Sequence, residues 1–180
     1  LAEMNHLGIP VPPGFTITTD VCTHYYENDQ TFPDELETEL TDALKATEQI
    51  MGIKFGDEQD PLLVSIRSGA RQSMPGMMET VLNVGLTTKT IPGLIKKTNN
   101  ARFVYDAYRR LIMMYADVVM EKAAGIEAEE GQGIRNRLEL LLEIHKKENQ
   151  YQNDTDLNGD DWKLLSGKFK TEISSTLGDE

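Results

Sequence analysis

Cysteine is almost absent from this 180-residue sequence, where Cys22 stands alone. No internal disulfide can form, and the chain fits a reducing compartment. Long apolar runs are missing as well. None approaches the roughly 20 residues that a membrane-spanning helix needs. No basic start leads into an apolar stretch and a small-residue cleavage site. The chain is therefore expected to be cytoplasmic, with no membrane partner. Positive charge is scarce: 18 Lys and Arg face 30 Asp and Glu, giving a net charge of −12. That balance argues against nucleic-acid binding. Neither the Gly-Lys-Ser/Thr of a Walker loop nor the glycine fingerprint of dinucleotide folds occurs. His6, His24 and His145 stand apart with no second ligand at metal spacing, so surface or helix-face roles are expected.

What remains is an ordinary globular composition, 39% hydrophobic and 27% charged, long enough for one domain or a small domain with a helical appendage. The charge is uneven. Residues 20–60 carry −10, residues 61–126 carry +5 and residues 127–180 carry −6. An anionic ligand would sit most easily in the basic middle, although Lys96 and Lys97 read better as solvated helix residues. The sequence opens on Leu1, inside an expected helix that Gly8 and Pro10 stop, and it is expected to be a fragment.

Three prolines between Ile9 and Gly14 exclude helix interior there. Phe15 to Thr19 alternates and is β-branched, which predicts a strand. Thr19 or Asp20 is then expected to cap a short helix through Tyr26, with Cys22 as a small buried hydrophobe. Pro33, Asp34 and Glu35 form an expected first turn, with Leu36, Leu40, Ala43, Leu44, Thr47, Ile50 and Met51 at helical spacing and Gly52 as the stop. Leu62 to Ile66 predicts a short buried strand, and Thr80 to Val84 a second one closed by Gly85. Helices are expected afterwards. One covers 88–97. A second is capped by Asn100, with Phe103, Ala107, Tyr108, Leu111, Ile112, Tyr115, Val118 and Val119 on its face. A third carries Ile134, Leu138, Leu141, Leu142 and His145. A last one is capped by Asn158 and Asp161, with a Trp162, Leu165, Phe169, Ile173 stripe. The expected fold class is α/β (α+β), with a mixed part at 1–86 and a mainly helical part at 87–180.

The most informative stretch is the strand and loop from Leu62 to Thr80. Arg67 ends the strand, and a guanidinium offers five fixed donors suited to phosphate oxygens. Gly69 and Gly76 let backbone N–H groups approach an anion without a Cβ in the way. Ser68, Ser73 and Thr80 add hydroxyls. An arginine paired with a core-edge acid, with the glycines serving turns, explains the same residues, and physics alone leaves both readings open.

The segment Ser65-Ile66-Arg67-Ser68-Gly69-Ala70-Arg71, followed by Ser73-Met74-Pro75-Gly76-Met77-Met78-Glu79-Thr80-Val81-Leu82-Asn83-Val84-Gly85-Leu86, resembles the signature of the pyruvate, phosphate dikinase family. Lys54-Phe55-Gly56-Asp57, Asp60-Pro61-Leu62-Leu63-Val64, Tyr108-Arg109-Arg110 and Asp117-Val118-Val119 are similar in the same order. The likeness is weaker between 121 and 150. It implies part of an ATP-grasp nucleotide-binding lobe with a helical subdomain. Such enzymes turn ATP, phosphate and pyruvate into AMP, diphosphate and phosphoenolpyruvate through a histidine on a swivelling domain. The resemblance assigns Arg67 to the ATP phosphates as the catalytic residue. It assigns Ser68, Gly69, Ser73, Gly76, Met77 and Thr80 to nucleotide binding, with Mg2+ accompanying ATP. It also implies phosphate as a further partner, pyruvate and the phosphohistidine domain elsewhere in the full chain, and a homodimer when complete.

Several family features are missing. The Gly-Gly-Lys-Gly lysine is expected before Leu1, the acidic metal ligands beyond Glu180, and no Thr-Ser-His carrier occurs. Glu79 stands where the family has aspartate. The fragment alone is expected to be inactive. A phosphoenolpyruvate synthase-type dikinase and a non-enzymatic helical interaction module are the rival readings. The synthases carry an Ala-Ser-Phe-Ala-Gly-like segment where this chain has Ser73-Met74-Pro75-Gly76. Met74, Met77 and Met78 either line an adenine or pack the loop. Arg109 and Arg110 are expected to be structural, and Asp154, Asp156, Asp160 and Asp161 to serve helix capping rather than calcium.

Overall fold

In the computed structural model, which describes residues 2–69, 80–122, 125–126, 128–129 and 131–178, the chain divides into two units between Asp57 and Glu58. The first holds three helices: α1 (Ala2–His6), α2 (Thr19–Glu27) and α3 (Leu36–Met51). Gly8 and Gly52 end α1 and α3 in left-handed backbone that a side chain would strain, with φ of 71° and 69°. Glu48 ties the chain after α3 back onto the helix, because its carboxylate accepts the Phe55 N–H at 2.7 Å. Residues 15–18 form neither helix nor strand, and they pair with no strand among the described residues. The expected strand is thus absent; Phe15 and Ile17 stay exposed, and alternation makes a strand only where a ladder neighbour exists. Helix α2 buries none of its residues, so Cys22 is exposed rather than packed.

The second unit begins with the hairpin strands β1 (Val64–Arg67) and β2 (Thr80–Val84). It continues through α4 (Ile91–Thr98), α5 (Ala101–Tyr115), a π-helical turn (Ala116–Lys122), α6 (Ile134–Glu148), a 3-10 turn (Asp154–Asp156) and α7 (Gly159–Leu177). The fold is therefore mixed and mainly helical, with one small antiparallel sheet among the described residues. The expected partition at 86/87 falls inside this unit. Leu86 shares a cluster with Ile91, Val104 and Tyr108, so the hairpin packs with the helices that follow it.

Capping decides where these helices start. The Asn100 side chain accepts the Phe103 N–H at 2.9 Å. Asn158 and Asp161 form the expected reciprocal box, each side chain accepting the other's backbone N–H, at 3.1 and 2.9 Å. The Trp162, Leu165, Phe169, Ile173 stripe is buried as its spacing predicts. It meets Ile134, Leu138 and Leu142 of α6 and Met113 of α5 in one core. The face of α5 differs from expectation. Phe103 is 58% exposed, whereas Val104 and Arg109 are buried. Helix α5 touches β2 and α4 on one side and α7 on the other, so its buried arc is set by two neighbours and not by a single stripe.

Arg109 is the polar centre of that core. Its guanidinium lies 4.4 Å from the centroid of the Trp162 ring, bonds Asp106 at 2.9 Å and reaches Asp154 at 3.2 Å. Asp154 also takes Lys146 of α6 at 3.1 Å. One cation thus joins α5, α7 and the loop before α7 and, through Asp154, α6. His145 is buried, its ring 3.1 Å from Asp161. The aspartates act as backbone and ion-pair partners. Asp156 accepts the N–H groups of Asn153 and Gln152, and these hold its carboxyl below the usual range. Burial works against the charge of Asp161, but the Asn158 N–H, the His145 ring and the Tyr151 hydroxyl outweigh it and hold that carboxyl low too.

Arg109→Ala is expected to lower stability by about 3–5 kcal/mol, and Arg109→Met by less, because a thioether still fills the space over Trp162. Denaturant unfolding followed by the fluorescence of Trp162, the single tryptophan, measures both. Carboxyls held low stabilise fully above their unfolded pKa of about 3.9. That stability is lost as pH falls through the lower folded values. Acid titration of helical circular dichroism is expected to show α6–α7 unravelling below about pH 4, with a flatter profile in Asp161→Asn.

Candidate functional site

Arg67 and Thr80 are direct partners across the hairpin. Opposite residues of an antiparallel pair share a face, with Cβ atoms roughly 5 Å apart. The register is not uniform. Val64 faces Val84, but Ile66 faces Val81 and Arg67 faces Thr80, with an irregularity between Val64 and Ile66. Leu82 and Asn83 together oppose Ser65 alone, which is a β-bulge, and Asn83 has φ of 60°. Val64, Ile66, Val81 and Val84 therefore share one face, and Arg67 and Thr80 the other.

Neighbouring packing holds this pair in place. Val81 is buried and β2 lies against α5. Leu63 leans on the cluster of Leu86, Ile91, Val104 and Tyr108. At the other end of β2, the Thr90 hydroxyl donates to Gly85 O at 3.0 Å and accepts the Thr87 N–H at 2.9 Å. Before β1, residues 58 and 59 lie so close to α4 that a Cβ on Gly93 would collide with the Glu58 carbonyl and the Gln59 backbone. Here glycine is required by close approach rather than by a positive φ.

The expected buried strand at Leu62 to Ile66 needs correction. Pro61 and Leu62 are buried, but the strand itself runs Val64–Arg67 and is largely exposed, Ile66 at 58%. Ile66 shares the face of Val81 yet stays exposed, because α5 packs on β2 rather than on β1 among the described residues. Arg67, Ser68 and Gly69 are exposed, and Thr80 is half-buried. A Cβ on Gly69 would meet nothing within 4 Å among the described residues, so their packing does not demand glycine there. Ser73, Gly76 and Met77, with Met74 and Met78, lie outside the described residues.

Other polar groups of this unit are engaged structurally. Arg102 donates to Leu157 O at 2.7 Å and Asp154 O at 2.9 Å. Arg109 bridges helices, and Arg110 pairs with Asp106 at 3.1 Å. A cavity of about 430 Å3 opens beside the π-helical turn, lined by Asp117, Glu121, Lys122 and Arg135 among others. Its acids already have partners. Glu121 accepts the Ile134 N–H at 2.9 Å, and Asp117 meets Lys122 and Arg135 at 3.3 and 3.4 Å. The bulge at Asn83 escaped sequence reasoning, although an asparagine between Leu82 and Val84 was its signal.

Residues 28–124 match the family model described as pyruvate phosphate dikinase, AMP/ATP-binding domain. This chain belongs to the pyruvate, phosphate dikinase family. It is 46% identical over 180 residues to the pyruvate, phosphate dikinase of Clostridium symbiosum, covering 100% of this chain and 19% of that protein. It is 42% identical over 178 residues to that of Rhizobium meliloti, 99% of this chain and 19% of the relative. Over 120 residues it is 51% identical to the protein of Giardia intestinalis, 67% of this chain and 14% of the relative. The chain thus spans about a fifth of the first two dikinases. The matched stretch contains Arg67, Ser68, Gly69, Ser73, Gly76, Met77 and Thr80. No helix among the described residues is long and apolar enough to cross a membrane.

Gly93→Ala is expected to displace residues 58–59 and to cost about 1–3 kcal/mol or more. The check is thermal unfolding, together with hydrogen exchange at β1 that rises more than exchange in α7.

Proposed function

We propose that this chain forms part of the ATP site of a pyruvate, phosphate dikinase, with Arg67 as the arginine that grips the ATP phosphates. The observation that carries the reading is the exposed Arg67 paired with a half-buried Thr80 on one face of the hairpin, inside the stretch that matches an AMP/ATP-binding domain. Exposure is what the role needs. A guanidinium committed to a core-edge acid could not also receive a triphosphate, and no salt bridge to Arg67 occurs among the described residues. Ser68, Gly69 and Thr80 add donors beside it, and Ser73, Gly76 and Met77 complete the binding loop. The lobe is of the ATP-grasp type, with the hairpin and the helices that follow it in one unit.

In the whole enzyme the reaction proceeds in three transfers. A histidine on a separate domain attacks the β-phosphorus of ATP, AMP leaves, and a pyrophosphoryl group stays on the histidine. Inorganic phosphate then takes the γ-phosphoryl group, giving diphosphate and a phosphohistidine. The oxygen of enolised pyruvate finally takes that phosphoryl group, giving phosphoenolpyruvate. Negative charge spreads over the transferring group in the first step, and fixed positive charge with oriented donors stabilises it. Arg67 supplies the first, and Ser68, the Gly69 backbone and Thr80 the second. Among the described residues no three His, Cys, Asp or Glu side chains gather to hold a metal. Mg2+ would accompany ATP, bound to its phosphate oxygens. A cytoplasmic, homodimeric enzyme completes the proposal, and the single free, exposed Cys22 suits a reducing compartment.

Arg67→Ala in the complete dikinase is expected to reduce ATP-dependent labelling of the carrier histidine by about a hundredfold or more. Exchange between phosphoenolpyruvate and pyruvate is expected to stay near normal. Wild-type labelling in that variant would overturn the assignment.

A further inference from the structure

We propose that Asn83 is a positioning residue for the ATP reaction: its left-handed backbone makes the bulge that turns Thr80 to the same side of the hairpin as Arg67. The role rests on the nucleotide reading above and adds a residue that touches no substrate. Regular pairing continued from Val64–Val84 would set Ile66 against Leu82 and Arg67 against Val81. The observed partners are Val81 and Thr80. One extra residue on β2 thus exchanges Val81 for Thr80 beside the guanidinium. It also lets Val81 and Val84, three apart, point the same way, so that Val81 is buried while the polar pair stays on the other face. A one-residue slip would put a valine next to Arg67 and present Thr80 to the wrong side.

The residue type fits the task. Asn83 has φ of 60°, a region that asparagine and glycine enter far more readily than β-branched residues. It is flanked by Leu82 and Val84, which favour regular strand. The bulge is also anchored. Asn83 O accepts the Leu86 N–H at 3.1 Å, Gly85 follows at φ of 114°, and the Thr90 hydroxyl holds Gly85 O at 3.0 Å. Asn83 is therefore fixed to the start of α4 on one side and sets the register of Thr80 on the other.

The test uses the complete dikinase carrying Asn83→Gly, Asn83→Val, Thr80→Val or Arg67→Ala. The readouts are kcat/KM for ATP, ATP-dependent labelling of the carrier histidine, phosphoenolpyruvate–pyruvate exchange and the melting temperature. Asn83→Gly, which keeps the backbone conformation, is expected to stay within about threefold of wild type. Asn83→Val is expected to lose about ten- to hundredfold in kcat/KM for ATP, with exchange unchanged. Thr80→Val is expected to give a loss of similar size that Asn83→Val does not deepen. If Asn83→Val does not accumulate folded, Asn83→Ala replaces it under the same criteria. The proposal is overturned if the valine variant keeps normal ATP kinetics, or if glycine is as damaging as valine. It is equally overturned if both half-reactions fall together with the melting temperature. A normal Arg67→Ala enzyme would remove the nucleotide reading itself; a defective Arg67→Ala beside a normal Asn83→Val would remove only the positioning role.

Discussion

The guanidinium of Arg109 over the ring of Trp162 is the contact on which the larger unit depends. A buried cation is costly unless it is paired, and Arg109 meets that requirement with Asp106 on its own helix, Asp154 ahead of α7 and an aromatic face beneath it. Each partner lies on a different stretch of chain. Satisfying one charge therefore aligns α5 with α7, and Lys146 on Asp154 brings α6 into the same arrangement. The apolar stripes contribute most of the burial, but a stripe of leucines and phenylalanines tolerates sliding. A planar cation with two carboxylates does not.

Helix α5 passes that rigidity to the hairpin. One side of it joins the core with α7, and the other receives β2 and the cluster around Leu86 and Val104. Tyr105 and Ile112 pack against both clusters. Arg67, exposed, and its half-buried partner Thr80 thus sit on a two-stranded ribbon that could not hold its shape alone. It is steadied by packing on its apolar face, by the tight approach of Gly93 and by the Thr90 hydroxyl. A ribbon held from behind, with Arg67 exposed on it, is what the proposed phosphate contact requires.

Much of the helical part was legible in the sequence. Asn100, the Asn158–Asp161 pair and the Trp162 to Ile173 stripe are local signals, and local signals survive into the fold because capping bonds and helical spacing act within a few residues. The strand expected at Phe15 to Thr19 failed for the opposite reason, since pairing needs a neighbour that five residues cannot specify. The α5 face was misread around Phe103, because packing between two partners widens a buried arc beyond any one stripe. Arg67 and its loop stood out by residue type, yet the partner brought opposite Arg67 depended on a bulge that alternation does not reveal.

By itself the sequence determined where α5 and α7 begin and that Trp162, Leu165, Phe169 and Ile173 turn inward. It also placed an arginine at the end of a strand before a glycine-bearing loop, all consequences of side-chain chemistry acting over one or two turns. Tertiary structure alone decided that Arg109 lies buried over Trp162, that the hairpin belongs with the helices after it, and that Thr80 faces Arg67. Each of these depends on groups far apart along the chain, whose meeting is chosen by the packing and charge balance of the whole unit.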